Sequence, residues 1–376
     1  MVLDACLQSA NNGHDTEHAR INRLQILLGA GGCGKSYVID SVITTLVHDN
    51  SWTEEIFSIF ATTGKAASNI NGSTYQNFTD GLAMMPGRRF TPLSARLLLR
   101  LQDKWKAKKL IFIDEFSMLQ QKDLFYIDQR LKQIMRNEES FGGIVFVLSG
   151  DPAQLPAVSG NCLWFPTPRN GSDDLKGYLL YQLFESVMVL RTNERLDFND
   201  PDALRFQAFL TRLRNGDNSH EDWELLTQKC SQSSISDWHL RFGGNDIIHL
   251  YCTNKEVAER NISCLKTIGN PIVKIKAEHT GPQGYSSKSD AASGLETHMF
   301  ICIGANIMIT KNLWQQCGIV NGSTGTIKDI IYSPEVPPPG LPLCVLVDFG
   351  IEYSGQSFFN EDNDKSGWVP IFPSYA

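Results

Sequence analysis

The sequence lacks the cysteine spacing of a zinc site or of a disulfide framework. Its nine cysteines are scattered over 376 residues, their number is odd, and none forms a C-x-x-C pair. Structural zinc sites and small disulfide scaffolds need clustered or regularly paired cysteines. The pattern therefore argues against both classes and predicts reduced thiols in an intracellular protein.

Long apolar runs and a signal-peptide core are also missing. No apolar stretch approaches the ~20 residues that a membrane-spanning helix needs. Residues 1–20 are polar and lack the apolar core of a secretory signal. We therefore expect an intracellular protein without a membrane partner.

An excess of positive charge is absent too. The net charge is -7 at pH 7, so the chain as a whole repels phosphate, and a nucleic-acid partner would need a local basic surface. A hydrophobic content of 42% indicates a folded protein. The length is enough for two or three domains with buried cores, and the sequence contains no internal repeat.

One segment has the pattern of a phosphate-binding loop. Residues 29–36 read G-A-G-G-C-G-K-S, which matches G-x-x-x-x-G-K-[ST]. An apolar run over 24–28 precedes it and apolar residues at helical spacing follow over 38–47, so a chance glycine turn is the weaker interpretation. Backbone N–H groups would face a triphosphate, Lys35 would reach its β- and γ-phosphates, and Ser36 would hold Mg²⁺. The predicted binding residues are Gly29, Gly31, Gly32, Cys33, Gly34, Lys35 and Ser36.

The first half of the chain alternates apolar runs with helical patterns. Further strands are predicted over 55–61, 110–113 and 144–148. Such alternation indicates a parallel sheet covered on both faces, with ligands at the carboxyl ends of its strands.

The second half has a different pattern. It predicts a polar loop over 169–176, a helix over 201–214, a strand over 247–251 and a capping box that opens a helix at 253–256. From about residue 272 the pattern is β, with a turn at 321–322, a rigid loop over 334–342 and a surface loop over 281–293.

Polar residues follow three of the predicted strands. Asp114 and Glu115 can hold Mg²⁺ and orient an attacking water, although a solvated strand end is a common alternative. Gln154 can sense a γ-phosphate, or it can belong to an ordinary proline-rich turn. Thr63 and Lys65 can contact a phosphate backbone near a helix N-terminus, or they can form a simple strand-to-helix turn.

Basic residues are concentrated between Gly87 and Lys109, where Asp103 is the only acid. Four of them recur at intervals of four residues: Arg96, Arg100, Lys104 and Lys108. On a helix these residues form a stripe, opposite a predicted core face of Leu97, Leu98, Leu101 and Trp105. Like charges at this spacing destabilise an isolated helix. The stripe therefore suits an anionic partner, and a solvated helix face is the alternative.

In their order along the chain, these motifs resemble those of superfamily 1 helicases, specifically the PIF-type (petite integration frequency) DNA helicases related to RecD. The matching blocks of the first half are 29–36, 63–67, 72–74, 113–118 and 150–156. Those of the second half are 190–195, 213–216, 253–254 with Asn261, 304–312 and 320–325.

The resemblance implies an α/β fold of RecA-like P-loop NTPase domains. Residues 1–190 would form a parallel-sheet ATP-binding domain. Residues 191–376 would form a partial second RecA-like domain, with a small β-barrel insertion in its β-rich part from about residue 272. ATP would bind between the domains, and single-stranded DNA would lie across their top.

The resemblance also assigns roles to residues. The implied catalytic residues are Lys35, Asp114, Glu115, Gln154 and Arg195, the last as an arginine finger from the second domain. Ser36 and Asp114 would be the Mg²⁺ ligands. The implied DNA-binding residues are Thr63, Lys65, Thr74, Gln76 and Thr253. Gln8 is the candidate for reading the adenine base.

The implied activity is a 5′-to-3′ ATP-dependent DNA helicase that acts in the nucleus in repair, recombination or telomere maintenance. The sequence departs from the family pattern at Gln76-Asn77, where His-Ser is usual, and it ends at Ala376 before the family's last two motifs. A truncated, non-catalytic relative that binds nucleotide and DNA is therefore the alternative. A RecA-like ATPase that acts on protein or RNA is a third reading, which the motif order disfavours.

Overall fold

The computed structural model describes residues 23–50, 52–53, 55–76, 90–158, 160–166, 171–197, 199–230, 247–278, 297–338, 340–359 and 365–373. The chain divides into two compact units, Met1–Asn218 and Ser219–Ala376. The boundary predicted after residue 190 lies inside the first unit, so residues 191–218 are described with that unit.

A six-stranded parallel sheet forms the centre of the first unit. Its strands are β1 (Leu24–Gly29), β2 (Phe57–Ala61), β3 (Ser73–Thr74), β4 (Leu110–Asp114), β5 (Val145–Gly150) and β6 (Ser186–Leu190). Their order is β3-β2-β4-β5-β1-β6, and every neighbouring pair is parallel. The predicted parallel sheet is confirmed, and β5 separates the strand that leads into the glycine loop from the strand that ends at Asp114.

Helices cover both faces of this sheet. The helices described in this unit are α1 (Lys35–Asn50), α2 (Gly64–Asn69), α3 (Ala95–Trp105), α4 (Gln121–Met135), α5 (Gly171–Tyr181) and α6 (Pro201–Asn215). Successive residues of a strand face opposite sides of the sheet. Accordingly, Phe112 of β4 packs in a core with Ile39 and Leu46 of α1, whereas Ile113 packs in the opposite core with Trp105 of α3.

The start of α5 corrects a sequence prediction. Residues 169–176 were expected to form a polar loop, but the structure describes a helix from Gly171 onward. Asp173 and Asp174 lie in its first turn, where carboxylates are favoured by the helix dipole. The acids that suggested a loop therefore favour the beginning of a helix.

The second unit combines helices with antiparallel sheets. Its helices are α7 (His220–Cys230) and α8 (Asn254–Ile268), and β7 (Val273–Lys276) pairs with β8 (His298–Ile301). A four-stranded sheet of order β12-β11-β10-β9 follows, built from β9 (Asn306–Met308), β10 (Thr324–Ile331), β11 (Cys344–Asp348) and β12 (Trp368–Ile371). The predicted change to β structure near residue 272 and the turn at Asn321-Gly322 are confirmed.

The strand predicted over 247–251 was wrong. This segment pairs with no strand in the described part of the chain, and Ile248 and Leu250 are 80% and 93% exposed. An apolar run becomes a strand only where a neighbour accepts its backbone hydrogen bonds. The surface loop predicted over 281–293 lies outside the described residues, as does Gln8. Within the described ranges, the helices are too short or too polar to cross a bilayer.

Candidate active site

The glycine loop connects the end of β1 to the start of α1. Gly29 is the last residue of the strand and Lys35 is the first residue of the helix. Gly32 and Gly34 have positive φ angles of 87° and 83°, which residues with a Cβ atom rarely adopt. The predicted order of strand, glycine loop and helix is confirmed, with the loop's backbone at the N-terminus of α1.

Lys35 is held within this loop. Its Nζ donates hydrogen bonds to the carbonyl oxygens of Gly29, at 2.9 Å, and Ala30, at 3.3 Å, and the residue is only 8% exposed. Ser36 follows on the exposed side of the first helical turn. The loop therefore keeps a buried ammonium group beside a hydroxyl at the helix N-terminus, the combination that binds a phosphate with its metal.

Asp114 and Glu115 end β4 at the same edge of the sheet. Asp114 is 5% exposed, and its Oδ1 atom has no hydrogen-bond partner among the described residues. Glu115 adopts the left-handed conformation, with φ 55° and ψ 42°. Thr62 fixes both residues, because its N–H donates to the Asp114 carbonyl at 3.3 Å and its hydroxyl to the Glu115 carbonyl at 3.0 Å. The left-handed backbone of Glu115 is a strained conformation for a residue with a Cβ atom, and such strain is commonly found at functional sites.

The pKa of Glu115 is set by its burial and by the charges around it. Burial raises the pKa of the Glu115 carboxyl above its ordinary value, and the neighbouring charge of Asp114 raises it further. The positive charge of Lys35 acts in the opposite direction. Glu115 therefore holds a proton more readily than an exposed glutamate, and a cation at the loop favours its ionised form.

Gln154 lies in a turn that follows β5. Its N–H donates to the Asp151 carbonyl at 3.0 Å, and the Ala153 N–H donates to Oδ1 of Asp151 at 3.1 Å. A Cβ atom built on Gly31 would lie 3.7 Å from Nε2 of Gln154. The structure thus brings the predicted γ-phosphate sensor against the glycine loop, on a turn that Asp151 organises.

Asp151 also forms an ion pair that the sequence patterns did not reveal. Arg214 at the end of α6 contacts both carboxylate oxygens, with NH2 at 2.5 Å from Oδ1 and NH1 at 2.6 Å from Oδ2. Burial opposes ionisation of Asp151, but the hydrogen bonds from Arg214 and Ala153 and the charges of Arg214 and Lys35 hold its pKa below the ordinary value. The turn that carries Gln154 is therefore tied to α6 by a charged, two-pronged contact.

Arg195, in the segment that follows β6, also lies beside the loop. The Glu194 N–H donates to the Gly32 carbonyl at 2.9 Å, and a Cβ atom on Gly32 would meet Cγ and Cδ of Arg195 at 3.0 Å. Asn193 shapes this approach by accepting a 3.0 Å hydrogen bond from the Arg195 N–H. The aliphatic stem of the predicted arginine finger thus packs on the loop glycine, within the first unit.

The residues predicted to bind DNA fall into two groups. Thr63 precedes α2, where its hydroxyl accepts a 3.2 Å hydrogen bond from the Ala66 N–H. Thr63, Glu115 and Gln154 line one cleft of about 660 Å³. Three further predicted residues follow in the same unit: Lys65 in α2, whose side chain lies outside the description, Thr74 in β3, and half-buried Gln76.

Thr253 lies in the second unit and caps α8. Its hydroxyl donates to Oε2 of Glu256 at 2.7 Å and accepts the Glu256 N–H at 3.3 Å, which confirms the predicted capping box. The contacts described for this hydroxyl stabilise the helix start.

The donor set at this edge is suited to a cation that also binds phosphate. Asp114 Oδ1 and Ser149 Oγ are both buried without a partner in the described part of the chain. Within that part, no group of three or more His, Cys, Asp or Glu residues could hold a metal alone. Mg²⁺ typically takes one or two protein oxygens and fills its other positions with water and phosphate oxygens. The residues present therefore fit a nucleotide-bound Mg²⁺ better than a permanent metal centre.

Sequence comparison identifies related proteins. A family model described as PIF1-like helicase matches residues 14–224. The ATP-dependent DNA helicase PIF5 of Trypanosoma brucei brucei is 26% identical over 405 aligned positions, which cover 82% of this chain and 43% of that protein. Among several such curated relatives, the chain spans between about a third and a half of their length.

Structural comparison points to the same architecture. The crystal structure of the Pif1 helicase from Candida albicans matches with a TM-score of 0.61 at 21% identity, covering 93% of this chain and 75% of that one. The structure of Bacteroides Pif1 in complex with ADP-AlF3 and ssDNA matches with a TM-score of 0.57 at 19% identity, covering 92% and 71%. At these identities the likeness shows a shared fold.

Proposed function

The chain belongs to the PIF1-like helicase family, and from this membership we propose that it acts as an ATP-dependent DNA helicase, a 5′-to-3′ motor on single-stranded DNA. The Trypanosoma relative is named an ATP-dependent DNA helicase. The Bacteroides structure is named as a complex with ADP-AlF3 and ssDNA. These names support ATP and single-stranded DNA as the ligands.

The convergence of separate strands on the glycine loop carries this proposal. Gln154 approaches Gly31, Arg195 approaches Gly32, and Glu115 lies within the electrostatic reach of Lys35. These side chains come from the ends of different strands and from the segment after β6. A loop with only a structural role would not require a base, an amide and a guanidinium around its backbone.

Each of these groups has a chemical task in ATP hydrolysis. Lys35 binds the β- and γ-phosphate oxygens, and Glu115 orients the attacking water and accepts its proton. Gln154 contacts the γ-phosphate and reports its loss through the turn at Asp151. The Arg195 guanidinium stabilises the charge that develops on the transferred phosphoryl group.

A bound Mg²⁺ would neutralise part of the phosphate charge. Ser36 and Asp114 would hold it, since one is an exposed hydroxyl on α1 and the other a buried carboxylate with an unpartnered oxygen. The chain's own contribution is to hold the buried Asp114 carboxylate at the carboxyl end of β4, next to Glu115.

The proposed DNA path begins at the cleft beside Thr63. Hydroxyl and amide groups at Thr63, Thr74 and Gln76 would contact the phosphate backbone, and the ammonium group of Lys65 would add charge. For Thr253, the proposed DNA contact rests on the family resemblance alone. Such contacts do not read base identity, so binding would be tolerant of sequence and weakened by salt.

ATP hydrolysis and strand separation together test the proposed activity. We expect oligothymidine to raise the rate of ATP hydrolysis severalfold, and a duplex with a 5′ single-stranded tail to be unwound where a 3′ tail fails. Nucleotide and DNA binding without stimulated hydrolysis would indicate the non-catalytic relative. Stimulation by RNA or protein instead of DNA would overturn the substrate assignment.

The pH dependence of kcat tests the role of Glu115. Only its ionised form can accept a proton, and its pKa is raised above the ordinary glutamate value of about 4.3. We therefore expect kcat for ATP to fall with decreasing pH, starting at a higher pH than an exposed glutamate would give. Glu115→Gln should lower kcat by about 10²–10⁴-fold and abolish this acid limb. If kcat of the variant still falls with decreasing pH, a group other than Glu115 is responsible and the assigned role is wrong.

The cellular role proposed for the protein follows from the family. Its motor activity would serve repair, recombination or telomere maintenance, and its place of action would be the nucleus. Sequence-tolerant contacts to a DNA backbone suit all of these pathways.

A further inference from the structure

Helix α3 carries a row of exposed cations on an otherwise well-packed element. The helix begins after Ser94, whose hydroxyl accepts the Leu97 N–H at 3.4 Å, and it buries Leu101 and Trp105 to 1% exposure each. The opposite surface presents three exposed cations: Arg96, Arg100 and Lys104. We call these three residues the basic stripe.

The basic stripe faces away from the neighbouring helix. Gln102 marks the side of α3 that contacts α4, because its amide donates to the Gln133 carbonyl at 3.2 Å and accepts from Arg136 at 2.7 Å. At 3.6 residues per turn, the three stripe residues lie between about 120° and 200° around the helix from Gln102. The stripe is therefore turned to a surface that α4 does not cover.

The ion pair described on α3 does not involve the arginines of the stripe. Asp103, the single acid of the helix, pairs with Lys106 at 2.8 Å, and Lys106 is not part of the stripe. Arg96 and Arg100 have no ion-pair partner in the described part of the chain. Like charges four residues apart weaken a helix, and the whole chain has a net charge of -7. These positive charges therefore favour binding of an anionic ligand, whereas they do not stabilise the helix itself.

The dimensions and chemistry of the stripe favour a duplex backbone. With a rise of about 1.5 Å per residue the stripe is about 12 Å long, the length of three to four phosphates of one strand at about 3.4 Å each. Proteins that hold single strands add aromatic side chains on which bases stack. The aromatic residue of α3, Trp105, is buried and stacks with Phe60 at 6.3 Å. The surface thus offers phosphate contacts without stacking, which matches a duplex whose bases are hidden.

From these observations we infer that the basic stripe is a second DNA contact, which binds the phosphate backbone of duplex DNA independently of sequence. Helix α3 immediately precedes β4, the strand that ends at Asp114. The inference rests on the proposed function in taking DNA as the substrate, but it concerns a surface outside the ATP site.

Salt-dependent binding of a short blunt duplex tests the inference. For the triple variant R96A/R100A/K104A we expect affinity at low salt to fall at least about tenfold. The slope of log K against log salt should become shallower by about two to three units, since each lost phosphate contact removes about 0.9. Oligothymidine-stimulated ATP hydrolysis should be unchanged, and thermal unfolding should show that α3 is intact.

The control variant removes the same charge elsewhere in the first unit. Lys109, Arg136 and Arg205 are exposed cations outside the stripe, and K109A/R136A/R205A should keep the duplex affinity and slope. An unchanged slope in the stripe variant, or equal losses in both variants, overturns the inference. So does absence of duplex binding by the wild-type chain.

Two further measurements separate the inference from its rivals. If the stripe variant loses oligothymidine-stimulated hydrolysis as severely as duplex binding, the stripe belongs to the single-strand path and the inference fails. If it loses binding to polyglutamate but keeps the duplex, the partner is an acidic protein. A wild-type chain that binds duplex through the stripe but hydrolyses no ATP would support the inference and contradict the proposed motor.

Discussion

Replacing Lys35 with alanine should reduce ATP hydrolysis by at least about 10²-fold, the effect of removing a preorganised charge-stabilising group from an active site. The Nζ atom lies in the loop between two carbonyl oxygens, and its charge reaches Glu115 and Asp151. Without the ammonium group, the β- and γ-phosphates lose the positive charge that would bind them. The pKa of Glu115 also rises further, because the charge of Lys35 lowers it. Both consequences act on the same chemical step.

The fold should survive this substitution. Alanine is a good helix former at the first position of α1, and the glycine conformations that shape the loop do not depend on the lysine. Circular dichroism and thermal unfolding should therefore be close to those of the wild type. Lys109→Ala is the matched control, because Lys109 is an exposed lysine just before β4, at the opposite edge of the same sheet. Undiminished hydrolysis in Lys35→Ala would place the nucleotide site elsewhere.

The strongest sequence signals concerned local chemistry. The loop at 29–36 and the acid pair at 114–115 could be located from the sequence because each depends on contiguous residues next to an apolar strand. The parallel sheet then follows, since strands that alternate with helices pair in one direction. Its geometry brings the strand ends together, so the clustering of Glu115 and Gln154 at one edge could also be expected.

Contacts between residues that are distant in the sequence could not be predicted from these local patterns. Arg214 and Asp151 are 63 residues apart, and neither a helical arginine nor an aspartate in a turn indicates a partner by itself. The left-handed backbone of Glu115 was equally hidden, because residues other than glycine adopt it only when their surroundings impose it. The misread segments at 171–176 and 247–251 have the same origin. Acidic residues near a glycine are typical of a loop, and an apolar run is typical of a strand. In both segments the tertiary contacts determine the secondary structure that forms.

The Arg214 contact leads to the second large effect. Arg214→Ala should lower kcat for ATP by about 10–100-fold with a smaller change in KM, because misplacing a catalytic group by about 1 Å can cost that much. Asp151 organises the Gln154 turn through its carbonyl and carboxylate, and Arg214 holds that carboxylate by both oxygens. Losing the guanidinium frees the turn, while Lys35 and the nucleotide-binding loop stay in place. Arg214 is thus a positioning residue that acts through Asp151 on Gln154.

Stability should fall less than activity. Asp151 would become a buried carboxylate without its partner, which is costly, but the Arg214 side chain is 38% exposed and water screens the pair. We expect a loss of about 1–2 kcal/mol at pH 7. The depressed pKa of Asp151 means that the pair stabilises the fold above the ordinary aspartate range and that this contribution disappears as pH falls through the depressed value. The difference in thermal midpoint between Arg214→Ala and wild type should therefore shrink in acid.

Conservative and matched variants separate positioning from stability. Arg214→Lys keeps the charge but not the two-pronged contact, so its kcat should lie between those of Arg214→Ala and the wild type. Arg205→Ala removes an exposed arginine from the same helix and should leave kcat, KM and the thermal midpoint unchanged. The positioning role is wrong if Arg214→Ala retains wild-type kcat below its melting temperature, or if kcat and KM change as much in Arg205→Ala. If it holds, the γ-phosphate sensor is linked to α6, close to the point where the first unit ends at Asn218.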